Sequence, residues 1–572
     1  RDRLRSRGLG DVYKRQGEMR GDLIGCMCAV TGKTVVEGDV EVSEGIDYAR
    51  FYSTSMKQFA ELPDVDIAPK GTILVISPWN FPCAIPIGGI VAGLAGGNTV
   101  ILKPATVAAP VAWLFAKAFW DAGVPKEALQ VIITDREALK VLTTAPAVKH
   151  IILTGGTDTA QNIARSNPAT PLSAETGGKN AIILTASGDR DHAIMNIVAS
   201  AFGNAGQKCS ACSLLLVERS VYEDKNFQDK LKDAATSMKV GSVWNPGNVV
   251  GPMITNKNDK LLKALELEKG ESWLVPPRFL DKHKYVLAPT VKWGVRPGNY
   301  SFRTELFGPM LSVVCIENLQ QGINWVNSLD YGLTSGLQSL DEGEQKLWKD
   351  SIMAGNLYIN RGITGAIVNR QPFGGMKLSA FGGGVKAGGP NYCACFVKIT
   401  DKLGSTTDYT QSYVKAYEQE FAHARDVNNL YGEQNAFRYL PLKNMVLRLF
   451  PGDNNEDAKM IALAARICHT PLSISFEPGD DRTAALASLG CPLKEEALAG
   501  FLKSMKNYER IRTCGADIPM EMYEEAARID KYIATAKPVK DGRVELIHYI
   551  KEQSISFEYH RYGSILEVPS VE

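Results

Sequence analysis

The chain has 572 residues, 45% of them hydrophobic and 22% charged, which is too long for a single core and too apolar for wholesale disorder. Lys and Arg total 64 against 63 Asp and Glu, so the net charge of +1 offers no footprint for nucleic acid or an anionic membrane. The 11 scattered cysteines form no disulfide framework and fit a reducing cytoplasm.

Residues 1–16, RDRLRSRGLGDVYKRQ, are Arg-rich and lack an apolar run, so they read as a cloning scar or translated non-coding stretch outside the fold. From Gly17 to Ala60 apolar and acidic positions recur every three or four residues, which predicts helix. Strands are then expected at Thr72–Ser77, Asn98–Leu102, Leu129–Ile133 and within His150–Gly156, alternating with helices. The run Ala84–Leu102 is nearly long enough to span a bilayer, but Pro86, five glycines and Asn98 interrupt it. It reads as a Gly-rich helix followed by a buried strand, with no transmembrane segment. Alternating strands and helices imply a parallel α/β sheet that binds ligand at the carboxyl ends of its strands.

No GxGxxG follows any of these strands. The nearest substitute is Thr154-Gly155-Gly156-Thr157, either a helix start able to receive phosphate or simply a tight turn. A second block runs from about Ala181 to Ile359. Polar Asp401–Ser412 reads as a linker, and residues 413–572 carry enough apolar content to fold as a further unit.

Three segments carry candidate chemistry. Cys209, in AGQKCSAC after a helix with Ile194, Val198 and Ala201 on one face, sits in a Gly-containing turn that can present a thiol, and adjacent Lys208 would favour the thiolate. The alternatives are a structural cysteine, or a Cys209-x-x-Cys212 redox or zinc half-site. A metal is not expected, because neither Cys393/Cys395 nor any His-rich segment completes such a site. Glu175, before a Gly-Gly turn, can serve as a general base or merely cap or face solvent. Asn80, in PWNFP, can donate its amide to an oxyanion or simply belong to a proline-bounded turn.

PWNFP, LKPA, TGGT, ETGGKN, GQKCSA, ELFGP and QPFGG occur in that order, and over roughly residues 17–400 they resemble the aldehyde dehydrogenase superfamily. The resemblance implies a Rossmann-like NAD domain over 17–180, completed by 360–400, and an α/β catalytic domain over 181–359. It makes Cys209 the nucleophile, Asn80 and the Cys209 N–H the oxyanion donors, and Glu175 the base that activates water against a thioester. It places Lys103 on the adenosine ribose, Gly156 near the pyrophosphate, Glu305 on the nicotinamide ribose, and Phe307 and Trp79 beside the cofactor. NAD is the implied cofactor.

GQKCSACS, YINRGITGAIVNRQPFGG and KAGGPNY further resemble L-glutamate γ-semialdehyde dehydrogenases, in particular the dehydrogenase modules of the proline utilization A family. That likeness implies NAD-dependent oxidation of the semialdehyde formed from pyrroline-5-carboxylate to L-glutamate. Ser210, Gly365 and Ala366 would hold the amino-acid end, with Lys208 close by and Phe81 and Phe373 against the aliphatic stem. Residues 413–572 resemble a degenerate Rossmann-like domain without a catalytic cysteine, and His560 in HRYG reads as a packing residue. The proline dehydrogenase barrel, which itself needs some 250 residues, has no room before residue 17, so the chain reads as a fragment of a bifunctional, homo-oligomeric protein. The other readings are an NAD(P)-dependent dehydrogenase of another semialdehyde, or a non-catalytic cofactor-binding scaffold.

Overall fold

Two helices, Arg20–Thr31 and Val35–Ala60, precede the first sheet; Thr34 caps the second by accepting from the Glu37 N–H. The structure is a computed structural model that describes residues 14–515, 517–562 and 564–565. Residues 1–13 of the supposed scar lie outside the described residues. Gln16, by contrast, is buried in a helical turn, so the last residues of that segment belong to the fold.

The first sheet has six strands in the order Ala380–Phe381, Leu172–Glu175, Val148–Thr154, Thr72–Ile76, Thr99–Lys103 and Leu129–Val131. All neighbours are parallel except the first pair. The Gly-rich segment forms the helix Ala84–Ala95 against this sheet. A Cβ at Gly89 would stand 2.9 Å from Val75, and one at Gly93 2.8 Å from Val100, so the glycines let the helix lie close on the strands. No described helix is long and apolar enough to cross a membrane.

The second sheet has nine strands, and its order corrects the expectation of a separate third unit. Its centre is Thr334–Gln338, Asn180–Leu184, Cys212–Glu218 and Met310–Ile316. Its far edge comes from the chain beyond residue 412. Ile550–Glu558 pairs in parallel with Asn356–Ile359, and Glu433–Pro441 adds outside it antiparallel. Ala436 and Ile555 share a core with Trp348, Leu357 and Ile183. The rest of the C-terminal region forms a five-stranded parallel sheet with its own core around Leu447, Ile461 and Ile474. It is tied back to the first sheet: Gln161 donates to Asp530 at 2.8 Å, and Arg510 donates to the Gly383 carbonyl at 2.7 Å.

The supposed linker is also ordered structure at both ends. Asp401 closes the strand Val397–Asp401, which pairs with Val65–Pro69. Asp408 caps the helix Tyr409–Ala416 by accepting from the Thr410 and Gln411 N–H groups. The polarity read as linker is in part helix-capping chemistry.

Candidate active site

Three glycine-containing loops interlock around Cys209. The helix Arg190–Phe202 ends at Gly203, and Asn204, Ala205 and Gly206 then take left-handed φ values of 51°, 54° and 67°. Two consecutive non-glycine residues in that region carry local strain of about 1–2 kcal/mol each. Surrounding contacts hold them there. A Cβ on Gly206 would stand 2.2 Å from the Gly308 carbonyl oxygen, and one on Gly178 2.8 Å from that of Cys209. Asn180 Nδ2 donates to the Cys209 carbonyl at 2.6 Å and to that of Ala211 at 3.1 Å. The glycines of GQKC, ETGG and ELFGP are therefore the places where the three backbones touch.

Cys209 is partly exposed, into a cavity of about 120 Å³ that Glu175, Ser210, Phe81, Phe373 and Ala366 also line. Gly365 lies beside this wall, next to Thr364 and Ala366. Asn80 is 5% exposed and adjoins Phe81; its amide donates at 3.0 Å to the carbonyl of Gln207, two residues before the cysteine. The three candidate catalytic groups thus meet at one place. Burial, with Glu305 and Glu175 nearby, pushes the Cys209 thiol up to about 12. Lys208 does not offset this as the sequence implied. Its ammonium turns to Glu37 at 2.7 Å, an intramolecular partner that sequence adjacency cannot reveal.

Glu175 ends the strand Leu172–Glu175 and accepts from the Gly375 N–H at 3.1 Å. Burial raises its carboxyl to about 8, against the pull of Lys386 and that N–H. Lys386 in turn donates to Asn356 Oδ1 at 2.8 Å, and its backbone N–H donates to Glu552 at 2.6 Å. A carboxyl poised near neutrality beside a thiol suits a base that takes a proton from water.

The cofactor candidates lie along the carboxyl ends of the first sheet. Lys103 ends the strand Thr99–Lys103, its pKa lowered by burial. Gly156 is the N-cap of the helix Thr157–Ser166; no side chain caps it, and a Cβ there would meet nothing within 4 Å. Open space and free N–H groups at a helix start fit a pyrophosphate. Glu305 accepts from the Gly178 N–H at 2.8 Å, and burial raises its pKa. Phe307, at φ 51°, meets Trp79 edge-on with centroids 5.8 Å apart. The residues present fit a dinucleotide.

All 11 cysteines are free, and no group of metal-holding side chains occurs among the described residues. Sequence reading missed Asn180 and Lys386. Both stood within quoted motifs, ETGGKN and KAGGPNY, but their partners Cys209, Ala211, Asn356 and Glu552 lie elsewhere along the chain.

The sequence profile of the Aldehyde dehydrogenase family matches residues 3–401. The 1-pyrroline-5-carboxylate dehydrogenase of Geobacillus sp. (strain WCH70) is 34% identical over 387 residues, covering 64% of this chain and 74% of that protein. The enzyme of that name from Bacillus subtilis (strain 168) is 33% identical over 382 residues, covering 63% and 73%. Among solved structures, Proline Utilization A (PutA) from Corynebacterium freiburgense aligns with a TM-score of 0.88 at 36% identity. That alignment covers 99% of this chain, its C-terminal region included, and this chain spans 58% of the PutA chain. A Thermus 1-pyrroline-5-carboxylate dehydrogenase with bound NAD gives a TM-score of 0.65 at 32% identity, covering 70% of this chain and 80% of that one. With a profile match over residues 3–401, most of its length, the chain belongs to the aldehyde dehydrogenase family.

Proposed function

We propose that this chain oxidises L-glutamate γ-semialdehyde, the open form of 1-pyrroline-5-carboxylate, to L-glutamate with NAD as acceptor. The observation that carries the reading is the shared cavity of Cys209, Glu175 and Ser210, walled by Phe81 and Phe373. Relatives named for this activity support the substrate.

In this mechanism the Cys209 thiol loses its proton to water, and the thiolate Sγ bonds to the aldehyde carbon as the carbonyl oxygen becomes an oxyanion. The Asn80 amide and the Cys209 N–H stabilise that oxyanion. Lys103, the Gly156 helix start and Glu305 would hold NAD, which when bound would supply the hydride acceptor. Loss of hydride leaves a thioester on Cys209. Glu175 then takes a proton from water, the hydroxide attacks the thioester, and the thiolate departs as the carboxylic acid is released. The Ser210 hydroxyl and the backbone at Gly365 and Ala366 hold the α-amino-acid end, and the two phenylalanines enclose the methylene stem.

We further infer that a proline dehydrogenase module supplies the substrate, that the protein assembles as a homo-oligomer, and that it works in the cytoplasm. The PutA likeness supports the first and the free cysteines the last. The test is NADH formation from pyrroline-5-carboxylate. The wild type is expected to turn over and Cys209→Ala to be inactive; equal rates would refute the nucleophile. Ser210→Ala is expected to raise KM for this substrate and leave simple aldehydes unaffected.

A further inference from the structure

A lysine in the turn between the two N-terminal helices and a glutamate in the second of them lie completely buried, with no part in the chemistry described above. Lys33 and Glu41 are each 1% exposed, and their side chains meet at 2.6 Å. Burying such a pair costs several kcal/mol per ion before attraction returns any of it. Apolar residues would anchor a helix more cheaply. Where the remaining bonds go is therefore informative.

They end on the PWNFP turn and on the helix start that follows it. Lys33 Nζ donates to the Asn80 carbonyl at 2.6 Å and stands 3.8 Å from the centre of the Phe81 ring. With Glu41, that accounts for the directions of an ammonium. Glu41 Oε1 accepts from the N–H groups of Cys83 and Ala84 at 2.7 and 3.1 Å. It thus supplies, from another helix, the cap that the helix Ala84–Ala95 does not get from its own N-cap side chain. The same helix, Val35–Ala60, also carries Glu37, whose partner Lys208 adjoins the nucleophile. One helix therefore grips the turn that carries the oxyanion donor and the loop that carries the thiol.

We propose that Lys33, fixed by Glu41, is a positioning residue that sets the Asn80 amide relative to Cys209. The inference rests on the aldehyde-oxidising reading given above. It concerns the rate of the covalent steps and not the affinity for either substrate, since neither side chain lines the cavity.

The test uses the whole chain with pyrroline-5-carboxylate and NAD. In Lys33→Met/Glu41→Leu, apolar groups of similar size replace the pair, a change that buried ion pairs often tolerate. The expected result is a fall in kcat of about 10- to 100-fold, the scale of a small misplacement of catalytic groups. KM for both substrates and the rate of iodoacetamide labelling at Cys209 are expected to stay within about twofold of wild type, since neither residue lines the cavity and the methionine keeps a side chain against Phe81. Glu41→Gln keeps an acceptor for Cys83 and Ala84 and loosens only Lys33; it is expected to show a smaller loss of the same kind, and it serves if the double variant does not fold. Unchanged kcat in a folded variant, or a loss confined to KM, overturns the proposal. A wild-type protein that forms no NADH overturns the functional reading and the inference with it; a wild type that turns over beside equally active variants overturns the inference alone.

Discussion

A base works only when ionised, and Glu175 is held near 8 by its burial. Below that pH the carboxyl is protonated and cannot take a proton from water. Deacylation is therefore expected to slow about tenfold per pH unit as pH falls below 8, and to level off above it. Glu175→Gln should abolish the pH-dependent step yet retain a first burst of NADH, visible by stopped flow. The thiol offers a second check. Glu305 and Glu175 both raise its pKa, so Glu305→Gln removes one opposing charge. Iodoacetamide labelling of Cys209 at pH 8 is expected to quicken, because burial still holds the thiol up but one of the two opposing carboxylates is gone. At this scale the sequence was legible where chemistry is local. Cys209, Glu175 and Asn80 each sit in a short motif with a characteristic turn. Lys33 was opaque because the Asn80 carbonyl it serves lies 47 residues away. Lys208 misled because adjacency in sequence is not adjacency of charge; its partner Glu37 sits on a distant helix.

Among the described elements, the nucleophile loop holds two consecutive non-glycine residues at left-handed φ. Asn204, Ala205 and Gly206 are all left-handed, and Gly206 lies against the Gly308 carbonyl. Gly206→Ala adds both a Cβ at positive φ and a clash with backbone. It is expected to destabilise the protein by about 2 kcal/mol or more, seen as a lower midpoint in urea. Activity should fall further than stability, because the displaced ELFGP loop carries Glu305. The strands and helices of the first sheet were readable from apolar runs separated by helical stretches. Val65–Pro69 was not, because its exposed residues lack a clear alternation and its partner is Val397–Asp401, far along the chain. Ala380–Phe381 is only two residues long and leaves almost no pattern, although it borders Glu175 in the sheet.

For the whole molecule, the main divergence between sequence and structure lies beyond residue 412. Strand-like periodicity shows that a segment pairs but not with which edge, so Glu433–Pro441 and Ile550–Glu558 passed for members of an independent unit. In the structure they finish the nine-stranded sheet, and Ile555 packs into its core. A chain ended after Ser405 would leave the edge of Asn356–Ile359 bare. It is expected to aggregate on size-exclusion chromatography where the intact chain elutes cleanly. The bond from Gln161 to Asp530 has a different consequence. Together with Arg510 on Gly383, it clamps the dinucleotide half to the C-terminal lobe at two points, one of them on the helix whose first turn would meet the pyrophosphate. A hinge between the halves would have to break this brace at every cycle. Any parting of these two lobes therefore carries the cost of both hydrogen bonds, about 1 kcal/mol or more each, before any other contact is counted.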